Sequence, residues 1–367
     1  MIENLDKLLR EALAKAKEMR GHVNVLIAGR TGVGKSTLIN AVFESNLAET
    51  GQGRPVTKTT REITKEGIPI TLFDTRGLET KDYLETFGEL ETLIVERCRD
   101  RDSERHIHLA WLCIHEDGRR VEDAEIALHE MLAKHVPLIT VITKARSDDG
   151  FRSKILELLP KSRNAVRVRA IREELDGGIE LPPMGLKELI EVSSELIPEG
   201  TRNALAAAQK ADMKFKKQRA RKIVVSSVTA ATAAGASPIP FSDVAILAPI
   251  QVGMLAGITS IYGLELSRAS LTTLLGSVIG VTGASFAGRA IVSNLLKLIP
   301  GGGTLAGSVI SALTAASLTT ILGEAYIATL SKLFSENPNA QPTPSEIAAR
   351  LRSEMKKGPK LDGVQEE

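Results

Sequence analysis

Gly29-Arg30-Thr31-Gly32-Val33-Gly34-Lys35-Ser36 has the spacing G-x-x-x-x-G-K-[ST], and that spacing can cradle phosphate. Its glycines let successive backbone N–H groups curl around phosphate oxygens. The Lys neutralises β/γ charge, and the Ser after it offers a hydroxyl to Mg²⁺. The flanks agree with that chemistry. His22–Ala28 reads as a buried strand, and Thr37–Phe43 as an opening helix whose N-terminal dipole adds to the site. Gly29, Thr31, Gly32, Val33, Gly34, Lys35, Ser36 and Thr37 are therefore the expected contacts of a nucleoside polyphosphate.

A phosphate loop alone does not separate ATP from GTP, so the downstream elements decide. Asp74-Thr75-Arg76-Gly77 follows the apolar run Ile68–Phe73, as a D-x-x-G element should. Asp74 is placed to support Mg²⁺ through water, and the Gly77 N–H to sense the γ-phosphate. Between the two motifs, Gly51–Arg61 reads as a mobile loop rich in Thr. Thr57 is the expected metal-reaching hydroxyl, with Thr59 and Thr60 as rivals.

These residues need a scaffold, and the chain supplies one between about 22 and 197. The apolar runs 68–73, 107–114 and 136–142, with a weaker one at 165–168, alternate with polar helical stretches near 83–101, 122–135 and 150–159. Such alternation predicts an α/β fold: a mostly parallel sheet, helices on both faces, and the ligand at the carboxyl ends of the strands. Before it, residues 1–21 form an amphipathic helix expected to pack on the domain that follows.

Behind it the composition changes. Lys214–Lys222 is densely basic, yet only six charged residues lie between Ile223 and Ser331 in a chain that is 25 % charged. Val244–Leu264 is uncharged over membrane-spanning length, and Leu271–Gly288 and Thr304–Gly323 come close. Gly253/Gly257, Gly276/Gly280 and Gly303/Gly307 give the small-residue spacing that lets helices approach closely in lipid. The expected organisation is a helix at 1–21, the nucleotide domain at 22–200 and a basic helical linker at 201–222. An all-α, hydrophobic and membrane-associated domain at 223–335 and a polar tail at 336–367 follow. The basic run has too few aromatics to stack nucleic-acid bases, and it fits anionic lipid better. A net charge of +2 argues for neither partner. The N-terminus shows no basic-then-apolar leader pattern, so the cytoplasmic face of a membrane is the expected location. Cys98 and Cys113 lack disulfide or metal spacing, and His106, His108, His115, His129 and His135 form no metal pattern.

Taken in order, Gly29–Ser36, Thr57, Asp74–Gly77 and then Thr143-Lys144 at the end of a strand resemble the TRAFAC-class GTPases. The Gly-x-Thr-Gly-x-Gly-Lys-Ser loop with a Val-Thr-Lys switch is similar to Era-like, immunity-related and dynamin-like members. The hydrophobic block, through Ser237–Asp243 and Pro249-Ile250-Gln251, resembles the domain behind the G domain in the bacterial YcjF-type group. The resemblance implies GTP/GDP with Mg²⁺ and hydrolysis of the β–γ anhydride to GDP and phosphate. Lys35 would hold the phosphates, Ser36 and Thr57 the metal, and Asp74 its water. Thr143, Lys144, Asp148 and the Arg169-Ala170 backbone would face the base.

Two departures from the family pattern matter. The base-reading element is [NT]-K-x-D, but here Arg146 stands where its Asp should be, with Asp148 and Asp149 slightly later. A cation cannot accept hydrogen bonds from guanine N1 and N2, so either Asp148 swings in or base selectivity is relaxed. The residue after D-x-x-G is Leu78 rather than a water-orienting Gln. Slow turnover is expected, assisted by a partner or a homodimer, with Arg30 and Arg76 as candidate sources of positive charge. The competing reading is a non-hydrolysing, nucleotide-dependent interaction protein whose second domain is a soluble helical bundle.

Overall fold

Val23–Ala28 (β1), Ile70–Thr75 (β4), Leu109–His115 (β5) and Leu138–Thr143 (β6) are buried at nearly every position, as strands covered on both faces must be. In the computed structural model, which describes residues 2–43, 47, 52–55, 57, 60–75, 83–235, 242–265, 267–279 and 312–356, they form the centre of a seven-stranded sheet. The strand order is β2-β3-β4-β1-β5-β6-β7, with Gln52–Pro55 as β2, Thr60–Thr64 as β3 and Asn164–Val168 as β7. β4, β1, β5, β6 and β7 run parallel, and β2 and β3 add an antiparallel edge. The α/β reading holds. The stretch read as a loop at 51–61 is in part this edge. Its Gln-Gly-Arg-Pro and Thr-Arg-Glu-Ile-Thr sequences lack the apolar runs that mark buried strands.

Helices cover both faces. Tyr83–Cys98 (α3), Asp123–His135 (α4) and Phe151–Leu158 (α5) contribute Leu90, Ile94, Leu128, Leu132 and Ile155 to one core with Leu26, Leu112 and Ile142. On the other face Trp111 stacks on Phe43 at 5.7 Å, just past Lys35–Val42 (α2), and donates to Ser193 Oγ at 3.1 Å. Ser193 belongs to Leu186–Leu196 (α6), which fixes the Ser193-Ser194 pair in the core. The sheet unit extends over Gly21–Asp212 and so takes in Arg202–Ala208 (α7), whose five alanine and leucine side chains from Ala204 on are buried. These residues belong with the sheet rather than with a linker.

His108 is buried at the lower edge of this sheet. Its Nδ1 accepts the Asn24 backbone N–H at 3.0 Å, and its Nε2 lies 3.2 Å from the Ser103 carbonyl, so the ring is a neutral Nε2–H tautomer. Burial is the main cause that holds its pKa below the ordinary histidine value. The unfolded chain therefore binds more protons once pH drops below about 6.5, and stability is complete above that value and lost below it. His115 and His129, also lowered chiefly by burial, act with the same sign. Urea unfolding followed by Trp111, the single tryptophan, should show falling stability from pH 7.5 to 5.5. A His108→Gln variant should show a shallower slope, by at most about 1.4 kcal/mol per pH unit.

The second unit combines Met1–Arg20 with Met213–Glu367. Ile2–Arg20 (α1) turns Leu9, Ala12, Leu13 and Ala16 into it, packing on Ser242–Ile261 (α9) and Arg268–Ile279 (α10). Asp6 and Arg268 form an ion pair across that contact. The amphipathic stripe was legible, but its partner is this unit and not the domain next in sequence. Met213–Gly235 (α8) runs without a break from the basic residues into the apolar ones, so no linker separates them. Its main neighbour is Ala312–Glu336 (α11), where a Cβ on Gly323 would stand 2.6 Å from a Val224 methyl. Pro344–Lys356 (α12) packs Ile347, Ala348, Leu351 and Met355 inward, so this part of the tail is core. Thr343 and Glu346 cap it reciprocally.

Among the described residues no helix is long and apolar enough to cross a membrane. α9, from the run read as span-length, carries an interior Pro249 and is covered by α1, α8 and α11. A helix apolar all round fits a protein interior as well as a bilayer. Thr259 bonds Tyr326 at 2.8 Å and Tyr262 bonds Ser331 at 2.6 Å inside this contact. Half of Leu271–Gly288, residues 304–311 of Thr304–Gly323, and the pair Gly303/Gly307 lie outside the described residues.

Candidate nucleotide site

The phosphate loop is shaped by three glycines with positive φ: Gly29 at 143°, Gly32 at 76° and Gly34 at 102°. At Gly29 there is also no room, because a Cβ would lie 2.5 Å from the Cys113 carbonyl oxygen. Gly34 ends the loop and starts α2, whose first turn exposes Ser36 and Thr37. Lys35 is buried, and its ammonium donates to the Gly29 and Arg30 carbonyls at 2.7 and 3.0 Å. The ammonium is thus held inside the curve of the loop, where phosphate oxygens would be its anionic acceptors.

Asp74 is buried at the carboxyl end of β4, where pairing with Ile27 sets it beside the start of the loop. The Cys113 thiol lies within electrostatic range of both Lys35 and Asp74, and burial pushes it up to about 12. It is a core spacer between them. Thr57 forms a turn with Thr60: its Oγ1 accepts the Thr60 N–H at 2.9 Å, and its own N–H donates to Thr60 O at 3.3 Å. Thr60 pairs with Thr75, so this turn sits at the same end of β4 as Asp74. Ser36, Thr57 and Asp74 offer only oxygen donors, two hydroxyls and one carboxylate. That set suits a hard cation such as Mg²⁺ completed by phosphates and water. Arg76, Gly77, Leu78 and Thr59 lie outside the described residues.

The strand β6 reaches the loop through Thr143, whose hydroxyl donates to Val33 O at 2.6 Å and contacts Ile114 O at 3.1 Å. One side chain thereby ties the phosphate loop to the ends of β5 and β6. Lys144, left-handed at φ 52°, lays its stem along Gly34. A cavity of about 450 Å³ opens there, lined by Thr37, Lys144, Arg146, Arg169 and Ala170 together with Asp117 and Glu173. A smaller one of about 250 Å³ adjoins Arg30–Val33.

Two expectations need correction. Asp148 does not line the larger cavity. Its Oδ1 accepts the Arg152 N–H at 2.9 Å at the start of α5, and its carbonyl accepts from Arg119 at 2.5 Å. A carboxylate serving a helix N-terminus is stabilised where it is. Arg30 pairs with Glu122 at 2.5 Å, so its charge is already met by a carboxylate. Arg169 lines the cavity, but its guanidinium turns away to the Ala145 and Pro182 carbonyls at 2.8 and 2.6 Å, leaving Ala170 to present backbone to the opening.

Sequence reading missed Glu116 and Glu173. Glu116 is fully buried, accepts from Arg167 at 2.6 Å and from the Arg146 backbone N–H, and so fixes the path of the chain after Lys144. Glu173 opens a small hairpin of Glu173–Leu175 (β8) and Ile179–Leu181 (β9), and pairs with the Arg146 guanidinium. That hydrogen bond holds the Glu173 carboxyl below its ordinary range and raises Arg146. Arg146 stands out by its place in the base-reading element, but no local motif marks Glu173, which lies 27 positions away.

Comparison with known proteins agrees with this geometry. Residues 24–144 match the family described as 50S ribosome-binding GTPase, and residues 201–357 match a domain of unknown function (DUF697). Similar curated proteins are tRNA modification GTPases MnmE. That of Desulfotalea psychrophila is 29 % identical over 179 residues, 44 % of this chain and 36 % of that protein. That of Staphylococcus haemolyticus is 32 % identical over 149 residues, 39 % and 30 % respectively. The chain spans about a third of the length of these relatives. A solved structure described as a probable GTP-binding protein engB covers 40 % of this chain and 89 % of its own, at 18 % identity and a TM-score of 0.30. Residues 24–144 thus belong to the GTPase family and residues 201–357 to the second family, and the chain joins a TRAFAC-class G domain to a C-terminal domain of the YcjF type.

Proposed function

We propose that this protein binds GTP with Mg²⁺ and hydrolyses it slowly to GDP and phosphate, as a switch coupled to its helical unit. The observation that carries this reading is the convergence of Lys35, Asp74 and Thr143 on one glycine-shaped loop. Lys35 exchanges the loop carbonyls for β/γ oxygens. The α2 N-terminus and the loop N–H groups neutralise the charge that builds as the β–γ anhydride opens. Ser36, Thr57 and Asp74 would hold Mg²⁺, which when bound would supply charge neutralisation at those oxygens. Water adds to the γ-phosphorus, the bond to the β-bridging oxygen breaks, and the proton leaves with inorganic phosphate.

No Gln follows D-x-x-G, and Arg30 is engaged by Glu122. Rate assistance then falls to Arg76 or comes from outside the site, through a second copy of the G domain or a partner. Lys214, Lys217 and Lys222 lie exposed on α8, which supports contact with anionic lipid at the cytoplasmic face of a membrane. Single-turnover phosphate release from GTP should be slow at low protein concentration and rise with concentration or with anionic vesicles. Absence of release under all three conditions, with GTP still bound, would favour the non-hydrolysing reading.

A further inference from the structure

The cavity beside Ala170 lacks the carboxylate that its family places at the fourth position of the base-reading element, because that residue is Arg146. Asp148 is committed elsewhere. Guanine still presents two adjacent donors, N1–H and the N2 amine, and a site that selects it must offer a fixed acceptor to both. Two other carboxylates line the cavity, Asp117 and Glu173. They are not equivalent. Among the described residues Asp117 is held by the Arg146 Nη1 at 3.6 Å and His115 at 3.8 Å, beyond hydrogen-bond reach. Glu173 receives both Nε, at 3.0 Å, and Nη2 of Arg146 on its single oxygen Oε1. Among the described residues its Oε2 accepts no hydrogen bond.

Taking as given that this cavity receives a guanine nucleotide, we infer that Glu173 reads the base, with Arg146 as its positioning residue. The Arg that removes the usual acceptor supplies the anchor for its replacement. Two guanidinium donors orient the carboxylate and keep it charged, and Oε2 is left to accept N1–H and N2–H. Glu173 follows Ala170 by three residues. The backbone that meets the base carbonyl and the carboxylate that meets its donors thus enter on one short segment. Adenine, with an acceptor at N1, would meet Oε2 lone pair to lone pair. Xanthine, with oxygen in place of the N2 amine, would do the same at position 2.

The test is equilibrium binding of GDP, XDP and ADP in the presence of Mg²⁺ to the full chain and to three variants. Wild type should prefer GDP. Glu173→Gln, whose amide accepts one bond and donates another, should lose GDP affinity about 10- to 100-fold and come to prefer XDP. Asp117→Asn and Asp148→Ala should keep the wild-type preference. Retained GDP preference in a folded Glu173→Gln protein overturns the assignment. So does a switch to XDP in Asp117→Asn or loss of discrimination in Asp148→Ala. Wild type that binds ADP and not GDP would sink the GTPase reading itself, a result distinct from all of these. Arg146→Gln should weaken GDP binding without creating the XDP preference. An XDP preference there would overturn the positioning role.

Discussion

Lys35→Ala should abolish measurable binding of GTP and GDP while leaving the fold intact, a loss of at least 100-fold in affinity. The Lys35 ammonium is enclosed by the loop, with the Gly29 and Arg30 carbonyls as its two acceptors. Charge-assisted hydrogen bonds contribute about 1.5–3 kcal/mol each, and a polyphosphate takes at least two from this group. A loss of roughly 3–6 kcal/mol follows. Removal of the side chain frees two loop carbonyls at the mouth of the site, where water satisfies them, so the sheet keeps its stability. Titration calorimetry with GDP and Mg²⁺, with circular dichroism as the control for folding, measures both halves. Binding within tenfold of wild type would show that the loop does not hold phosphate through this residue.

Gly185→Ala should be strongly destabilising to the sheet unit. Gly185 caps α6 at φ 74°, and a Cβ there would lie 1.9 Å from the Arg167 carbonyl oxygen and 2.9 Å from its carbon. The left-handed backbone alone costs an alanine about 1–2 kcal/mol. The overlap is with backbone on both sides, so no side chain can rotate away, and a total on the order of 4 kcal/mol is expected. In a domain of this size that lowers the melting temperature by about 10 °C. Gly178 is the control. It has the same left-handed backbone, φ 76°, but nothing within 4 Å of an added Cβ, so Gly178→Ala should lose only the conformational part. Equal losses in the two variants would show that space at Arg167 is not the cause. Because Arg167 leads into Val168 and Ala170, the Gly185 variant should also weaken nucleotide binding beyond what its stability explains.

The phosphate loop was legible because its chemistry is local: eight consecutive residues fix both the curve and the charge. The central strands were legible because burial on both faces leaves an apolar run. The edge strands β2 and β3 were not, since Gln52–Pro55 and Thr60–Thr64 are short and polar, and only their pairing makes them strands. Asp148 was singled out only by its proximity in sequence to the missing Asp. The structure uses it to start a helix. Glu173 was invisible for the opposite reason, as its meaning comes from Arg146 across 27 positions. The stripe of α1 shows the same limit: periodicity announces a buried face but not the surface that covers it.

That α1 belongs with residues beyond Met213 has a consequence for how the protein is made. A chain leaves the ribosome at about 5–20 residues per second. Roughly 220 residues separate α1 from α9, so on the order of 10–40 s pass before its apolar stripe meets its cover. In that interval the whole sheet unit is synthesised and is free to fold, since domains fold as units during synthesis. Leu9, Leu13 and their neighbours, buried in the finished fold, lack that cover throughout. The helical unit is completed last, after the sheet unit has been made, and until then the early helix is a natural client for a chaperone.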